Sequence, residues 1–237
     1  MEIRLASLLD GARAASGVVV IVDVFRAFTT AAVAFSKGVE KIVLVAEVEE
    51  AIALRDQGVG HLCVGEVGGM RPDGFDFNNS PSELSDADIE GKTIIHSTRA
   101  GTVGMVAATG ADKLYGGSFA IASATVEVIR SRKPDLVTIV AMGSEGRIRA
   151  DEDEQCALFL KNLYQGRRPD HSAVRTLVLA GEESQKYNDP ARPHFPPRDR
   201  EMALDIDSHD FAIRVERENG LLVARQEFRG GETNHDC

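Results

Sequence analysis

Residues 18–24 read VVVIVDV, a β-branched run apolar on both faces and too short for most helices, the pattern of a strand buried in a parallel sheet. Residues 26–37 are rich in alanine and stop before Gly38, which predicts a helix with a glycine end despite its threonines. The alternation then recurs, with strand 41–45 and helix 47–57, strand 61–65, and strand 92–96 with helix 100–109. Strand 113–115 with helix 120–132 and strand 136–141 with helix 152–165 continue it. This order predicts an α/β fold of three layers, α/β/α, around a mostly parallel sheet.

Two stretches break the rhythm. Between Glu66 and Asp86 the chain is dense in Gly, Pro, Asn and Asp, which predicts a long loop, with Ser80-Pro81-Ser82-Glu83 capping a short helix near its end. After Gly181 the chain turns polar, and residues 188–200 carry four of the eight prolines, so an irregular connection is expected there. Residues 211–228 hold strand-like pieces around Asn219-Gly220. They predict a C-terminal hairpin at the edge of the sheet, making it mixed.

Composition changes this picture little. The 237 residues are 43% hydrophobic and 27% charged, so an ordinary globular chain with room for a sizeable core is expected. A single domain over residues 1–237 accommodates the alternation, with residues 181–237 its least defined part. Against 37 acidic residues stand 27 basic ones, a net charge of -10, which argues against nucleic-acid partners and anionic membrane surfaces. Cys63, Cys156 and Cys237 form no CxxC pair, so neither a disulfide framework nor a cysteine zinc site is expected. Neither an export signal nor a run of 18 apolar residues is apparent, so a cytoplasmic location with no membrane span is expected. Association of identical copies is left open.

Ligands of open α/β sheets gather beyond the carboxyl ends of the strands, so polar residues that close apolar runs are the natural candidates. The carboxylates Asp23, Glu66, Asp76 and Asp153 suit a hard cation, because Mg²⁺ prefers oxygen and takes few protein carboxylates. Asp76 reads equally as an Asx-turn residue, and residues 151–154 as acids favouring a helix N-terminus. Arg26 and Arg99 offer planar forks for an anion, while Ser97, Thr98, Gly101, Gly117 and Ser118 lie at predicted helix starts with free N–H groups. The sequence has no GxxxxGK[ST], no GxGxxG after a strand, no GxSxG and no HExxH. Asp23-Val24-Phe25 lacks the second aspartate of a DxD phosphatase motif, and the six histidines have no metal-ligand spacing.

The segments VDVFRAFTT (22–30), GEVGGMRPDGFDFNNSPSEL (65–84), STRAGT (97–102), GGSFAIASA (116–124) and AMGSEGRIRADED (141–153) resemble, in that order, the 2-phosphosulfolactate phosphatase family. The resemblance implies an α/β/α phosphohydrolase that depends on Mg²⁺ and is associated with coenzyme M biosynthesis. It places the family's acidic positions on Asp23, Glu66, Asp76 and the Glu152-Asp153 pair, with Arg26, Asn79 and Ser80 beside them. Two departures stand out, since the family often has asparagine where this chain has Ala100 and Ile121.

The expectation is therefore a Mg²⁺-dependent phosphatase acting on a small 2-phospho acid. Asp23, Glu66, Asp76 and Asp153 would serve as catalytic and metal-binding residues. Arg26, Asn79, Ser80, Ser97, Thr98, Arg99, Gly101, Gly117 and Ser118 would bind substrate. The alternatives are a noncatalytic anion-binding or regulatory protein on the same fold, a phosphatase for another phosphorylated hydroxy acid, and a nicotinamide dehydrogenase resting on the alternation alone.

Overall fold

A computed structural model describes residues 1–230, so His235 and Cys237 lie outside the described residues. The chain opens with β1 (Glu2–Ser7) and α1 (Leu8–Ala14), elements the hydrophobic pattern did not predict because charged and short apolar residues are mixed there. β2 (Gly17–Val22) is the apolar run, and α2 (Ala27–Ser36) the alanine-rich helix after it. β3 (Lys41–Val45), α3 (Val48–Asp56) and β4 (Leu62–Gly65) follow. The long loop contains a two-residue strand, β5 (Phe77–Asn78), and then α4 (Pro81–Asp86), whose N-cap Ser80 accepts from the Glu83 N–H as its sequence predicts.

β6 (Thr93–Ser97), α5 (Gly101–Ala107), β7 (Ala111–Gly117), α6 (Ala122–Ser131), β8 (Leu136–Ala141) and α7 (Asp151–Tyr164) complete the alternation. The region after it is more regular than its prolines suggest. It contains α8 (His171–Ala180), the one-turn α9 (Glu182–Gln185) and α10 (Pro197–Ala203) before the strands β9 (Ala212–Glu218) and β10 (Leu221–Glu227).

The strands form one ten-stranded mixed sheet in the order β1-β8-β2-β7-β9-β10-β3-β6-β4-β5. Two parallel blocks make it up: β1, β8, β2 and β7 on one side, and β3, β6, β4 and β5 on the other. The C-terminal hairpin forms as expected, but its place at the edge is corrected, since β9 pairs antiparallel with β7 and β10 antiparallel with β3. The hairpin thus joins the blocks through the middle of the sheet. Ala212, Ile213, Val215, Leu222, Val223 and Ala224 are buried, which a central position supplies on both faces and an edge does not.

The sheet is strongly curled. α5 packs against both β2 and β3, which stand four places apart in the sheet. On a flat sheet they would be about 19 Å apart, nearly twice a helix diameter of about 10 Å, so the sheet must wrap around the helix. One continuous apolar cluster fills the inner face, where Ile21, Val140, Ile213, Leu222, Leu44 and Ile94 meet Phe28 and Phe35 of α2 and Met105 of α5. The outer face is covered in two separate patches, by α6, α7 and α8 over the first block and by α3 over the second. The result is three layers, and the curl brings the carboxyl ends of β2, β8, β4 and β6 toward one cavity. No helix among the described residues is long and apolar enough to cross a membrane.

Candidate active site

The cavity at those strand ends holds about 260 Å³ and is lined largely by charged residues. Asp23 follows the last residue of β2 and is nearly buried. Its N–H donates to the Gly117 carbonyl (3.2 Å), and its Oδ1 accepts from the Ala27 N–H (3.0 Å) at the start of α2. α5 begins against the same carboxylate. A Cβ at Gly101 would stand 2.8 Å from Asp23 Oδ2 and 2.7 Å from Ala27 Cβ, so only glycine permits this approach. Burial pushes the Asp23 pKa up to about 6; the Ala27 and Gly101 amides pull against that shift, and the Glu66 charge adds to it.

Glu66 extends from the end of β4 and holds two loops at once. Its Oε1 accepts from the Arg99 N–H and its Oε2 from the Gly69 N–H, both at 2.8 Å. Gly69 takes a φ of +83°, and a Cβ there would meet the Phe195 ring at 2.3 Å. Asn79 reaches the cavity after β5, its Oδ1 lying 3.2 Å from Nε2 of His96. Burial pushes the His96 pKa down to about 4, so the ring is neutral near pH 7 and acts as a hydrogen-bond partner.

Of the acidic pair at the start of α7, the structure turns Glu152 to the cavity and Asp153 away from it. Both Asp153 oxygens accept backbone N–H groups, Val24 at 2.7 Å and Gly143 at 2.8 Å, so this carboxylate ties the loop after β2 to the loop after β8. Glu152 is buried at the cavity wall. Burial, then the charges of Glu183 and Asp23, push its pKa up to about 8.

Other residues singled out from the sequence are dispersed. Asp76 lies outside the cavity, where its Oδ2 accepts from the Cys63 N–H (2.7 Å) and faces Arg55 Nη1 at 3.5 Å, a clasp between loop and strand. Ser80 is the α4 cap, and its Oγ donates to Asp199 Oδ1 (2.8 Å). The Thr98 and Thr102 hydroxyls each accept the other's backbone N–H, bracing the turn before α5. Ser97 contributes its carbonyl to the Glu66 N–H (3.1 Å), while Gly117 packs against Val20 and Val22. Ser118 is buried, with no hydrogen-bond partner for its Oγ among the described residues.

The two arginines also divide. Arg26 lines the cavity and is already engaged at both Nη atoms: it donates to Asp199 Oδ2 (2.7 Å), the His194 carbonyl (2.9 Å) and the Gly69 carbonyl (3.2 Å), and its guanidinium lies 4.9 Å from the Phe195 ring centre. These contacts make Arg26 an internal rivet between the start of α2, the loop after β4 and the C-terminal segment. Arg99 lines the rim, with its guanidinium directed toward the Ala46 carbonyl (3.3 Å) and Glu47 (3.5 Å).

Sequence reasoning missed much of the wall, including Glu145 of the β8–α7 loop and Glu183, Lys186, Arg192, His194 and Phe195 of the C-terminal region. No motif marks them. Among the described residues, no three His, Cys, Asp or Glu side chains form a ready-made metal cage. Asp23 and Glu66 nevertheless fit Mg²⁺, which takes one or two carboxylates together with phosphate oxygens and water. Both line the cavity and offer the carboxylate oxygens that such an ion takes.

The model of one protein family, 2-phosphosulpholactate phosphatase, matches residues 5–191. Relatives with the curated name "Probable 2-phosphosulfolactate phosphatase" include a protein of Caldanaerobacter subterraneus, 34% identical over 226 residues, covering 89% of this chain and 91% of the relative. Another, from Thermoplasma acidophilum, is 32% identical over 188 residues, with 79% and 81% covered. A third, from Bacillus subtilis, is 28% identical over 202 residues, with 84% and 87% covered.

Proposed function

The chain belongs to the 2-phosphosulpholactate phosphatase family, and from that premise we propose that its cavity hydrolyses the phosphate monoester of a small 2-hydroxy acid. The substrate we assign is 2-phosphosulfolactate, giving sulfolactate and inorganic phosphate, a reaction with a place in coenzyme M biosynthesis. The observation that carries this reading is the convergence of Asp23, Glu66 and Glu152 on one small polar cavity rimmed by cationic side chains.

Asp23 and Glu66 would hold Mg²⁺, which when bound supplies positive charge to the phosphate oxygens. Asp23, at the end of β2 on the cavity wall, accepts a hydrogen bond from the attacking water and takes its proton as the new P–O bond forms. Glu152, whose pKa is pushed up to about 8, carries a proton at neutral pH and can deliver it to the leaving alkoxide oxygen. An alkoxide is a poor leaving group, so this proton matters most to the rate. Ala100 lines the cavity where the family often has asparagine, which removes an amide from the wall and brings related 2-phospho acids within the substrate range. Ile121 lies in the apolar core, so its departure does not reach the cavity.

The test is phosphate release from 2-phosphosulfolactate by the full chain, with Mg²⁺ and with excess chelator, for wild type and Asp23→Asn. Turnover is expected only with the cation, and Asp23→Asn should lower it by at least about 100-fold while the melting temperature holds or rises, since a buried charge is removed. Undiminished release in chelator, or near-wild-type turnover by Asp23→Asn, rejects the metal-assisted mechanism. Binding of substrate without release under any condition favours the noncatalytic alternative.

A further inference from the structure

We propose that Arg192 is the specificity-determining residue of the cavity, gripping the acid group, carboxylate or sulfonate, that a substrate carries beside its phosphate. The assignment rests on the reading above for the place of the phosphate. Among the described residues, Arg26, Arg99, Lys186 and Arg192 are the Lys and Arg side chains that line the cavity. Arg26 is buried on three acceptors, Lys186 is ion-paired with Glu183, and Arg99 has one arm of its fork, Nη1, on the Ala46 carbonyl and Glu47.

Arg192 has a single ion-pair contact, 3.4 Å from its Nε to a partly exposed Asp189, leaving Nη1 and Nη2 without ion pairs among the described residues. A planar fork with both arms open matches the geometry of a carboxylate or a sulfonate face. An anion entering this cavity also meets the carboxylates Asp23 and Glu66, so a second acid group requires a cation whose terminal donors are open.

The residue is held in place by the fold. Its N–H donates to the Asp189 carbonyl (3.0 Å) and its own carbonyl accepts from the Phe195 N–H (3.0 Å), closing a turn. Phe195 packs beneath the Arg26 guanidinium, which is fixed by Asp199. A preorganised turn spends little of its binding energy on ordering.

Titration calorimetry on the full chain with methyl phosphate, 2-phosphoglycolate and 2-sulfoethyl phosphate tests the proposal, because the last two each add one acid group to the first, the sulfonate on one further methylene. Wild type should bind at least one acid-bearing probe at least about tenfold more tightly than methyl phosphate, roughly 1.4 kcal/mol. Arg192→Ala should reduce that preference to below about threefold, and Arg192→Lys should restore only part of it, since lysine lacks the fork. Melting temperatures matching wild type are expected at this half-exposed position. A wild-type protein without the preference, or an Arg192→Ala protein that keeps it, overturns the assignment. Phosphate release measured on the same samples separates the two readings: a preference that depends on Arg192 without any release removes the hydrolase reading alone, and release with an unchanged preference removes Arg192 alone.

Discussion

Arg26 and Asp199, 173 positions apart in the chain, form an ion pair of 2.7 Å with side-chain exposures of 2% and 0%. The other Asp199 oxygen accepts from Ser80 Oγ (2.8 Å) and the Ser82 N–H (3.0 Å). One carboxylate therefore fastens the start of α2, the start of α4 and α10 together. The Arg26 contacts to the His194 and Gly69 carbonyls then pin the proline-rich segment across the cavity. A buried pair of this kind is costly to break and adds little over an apolar replacement.

Asp199→Ala strands the Arg26 charge in the interior, and a loss of about 3–5 kcal/mol of stability is expected. Urea unfolding measures it. The double variant Arg26→Met with Asp199→Leu removes both charges and should recover much of the loss. A cost below about 1 kcal/mol for Asp199→Ala would show that the pair is not the fastening described here.

Stability should depend on pH through Glu152. Its carboxyl has a folded pKa of about 8 against an ordinary 4.5, so the native state holds the proton more tightly than the unfolded chain. Below pH 4.5 both states are protonated and the group has no effect. Between pH 4.5 and about 8 the unfolded chain has lost a proton that the native state keeps, so stability declines as pH rises. The decline totals on the order of a few kcal/mol and levels off above the folded pKa. Glu152→Gln cannot ionise, so in metal-free protein its melting temperature relative to wild type should rise steadily across that window. A difference that stays constant from pH 5 to 8 contradicts the buried, raised carboxyl.

Asp76 separates the expectation drawn from sequence from the geometry of the fold. As a metal ligand it would be indispensable, whereas as the clasp on the Cys63 N–H it stabilises the loop. Asp76→Ala is expected to cost about 1–2 kcal/mol, the scale of a lost cap, while kcat at saturating Mg²⁺ stays within about twofold of wild type. A loss of kcat of two orders of magnitude in a folded variant would return Asp76 to the reacting centre.

Local pattern carried the layer architecture and part of the cavity. Continuous β-branched runs such as 18–24 are compatible only with strands covered on both faces, and a polar residue closing such a run, Asp23 or Glu66, is placed at the sheet's carboxyl edge by the strand itself. Arg99 and Gly101 came with them from the turn between a predicted strand and helix, whereas Asn79 came only from the family resemblance, the short strand before it being unpredicted. The distinction between Glu152 and Asp153 was not legible: neighbours on a helix point about 100° apart, and which one faces the cavity depends on how α7 lies against β8. Nor was the central hairpin, since Asn219-Gly220 specifies a turn and not the neighbours of its strands. Arg26 looked free because its partners Asp199, His194 and Gly69 are distant in the chain and are brought to it only by tertiary packing. Long-range packing of the C-terminal segment delivers Lys186, Arg192 and His194 to the wall, from a stretch whose prolines and charges have no period to read. Periodicity records which face of an element is apolar, and long-range pairing alone decides what stands opposite it.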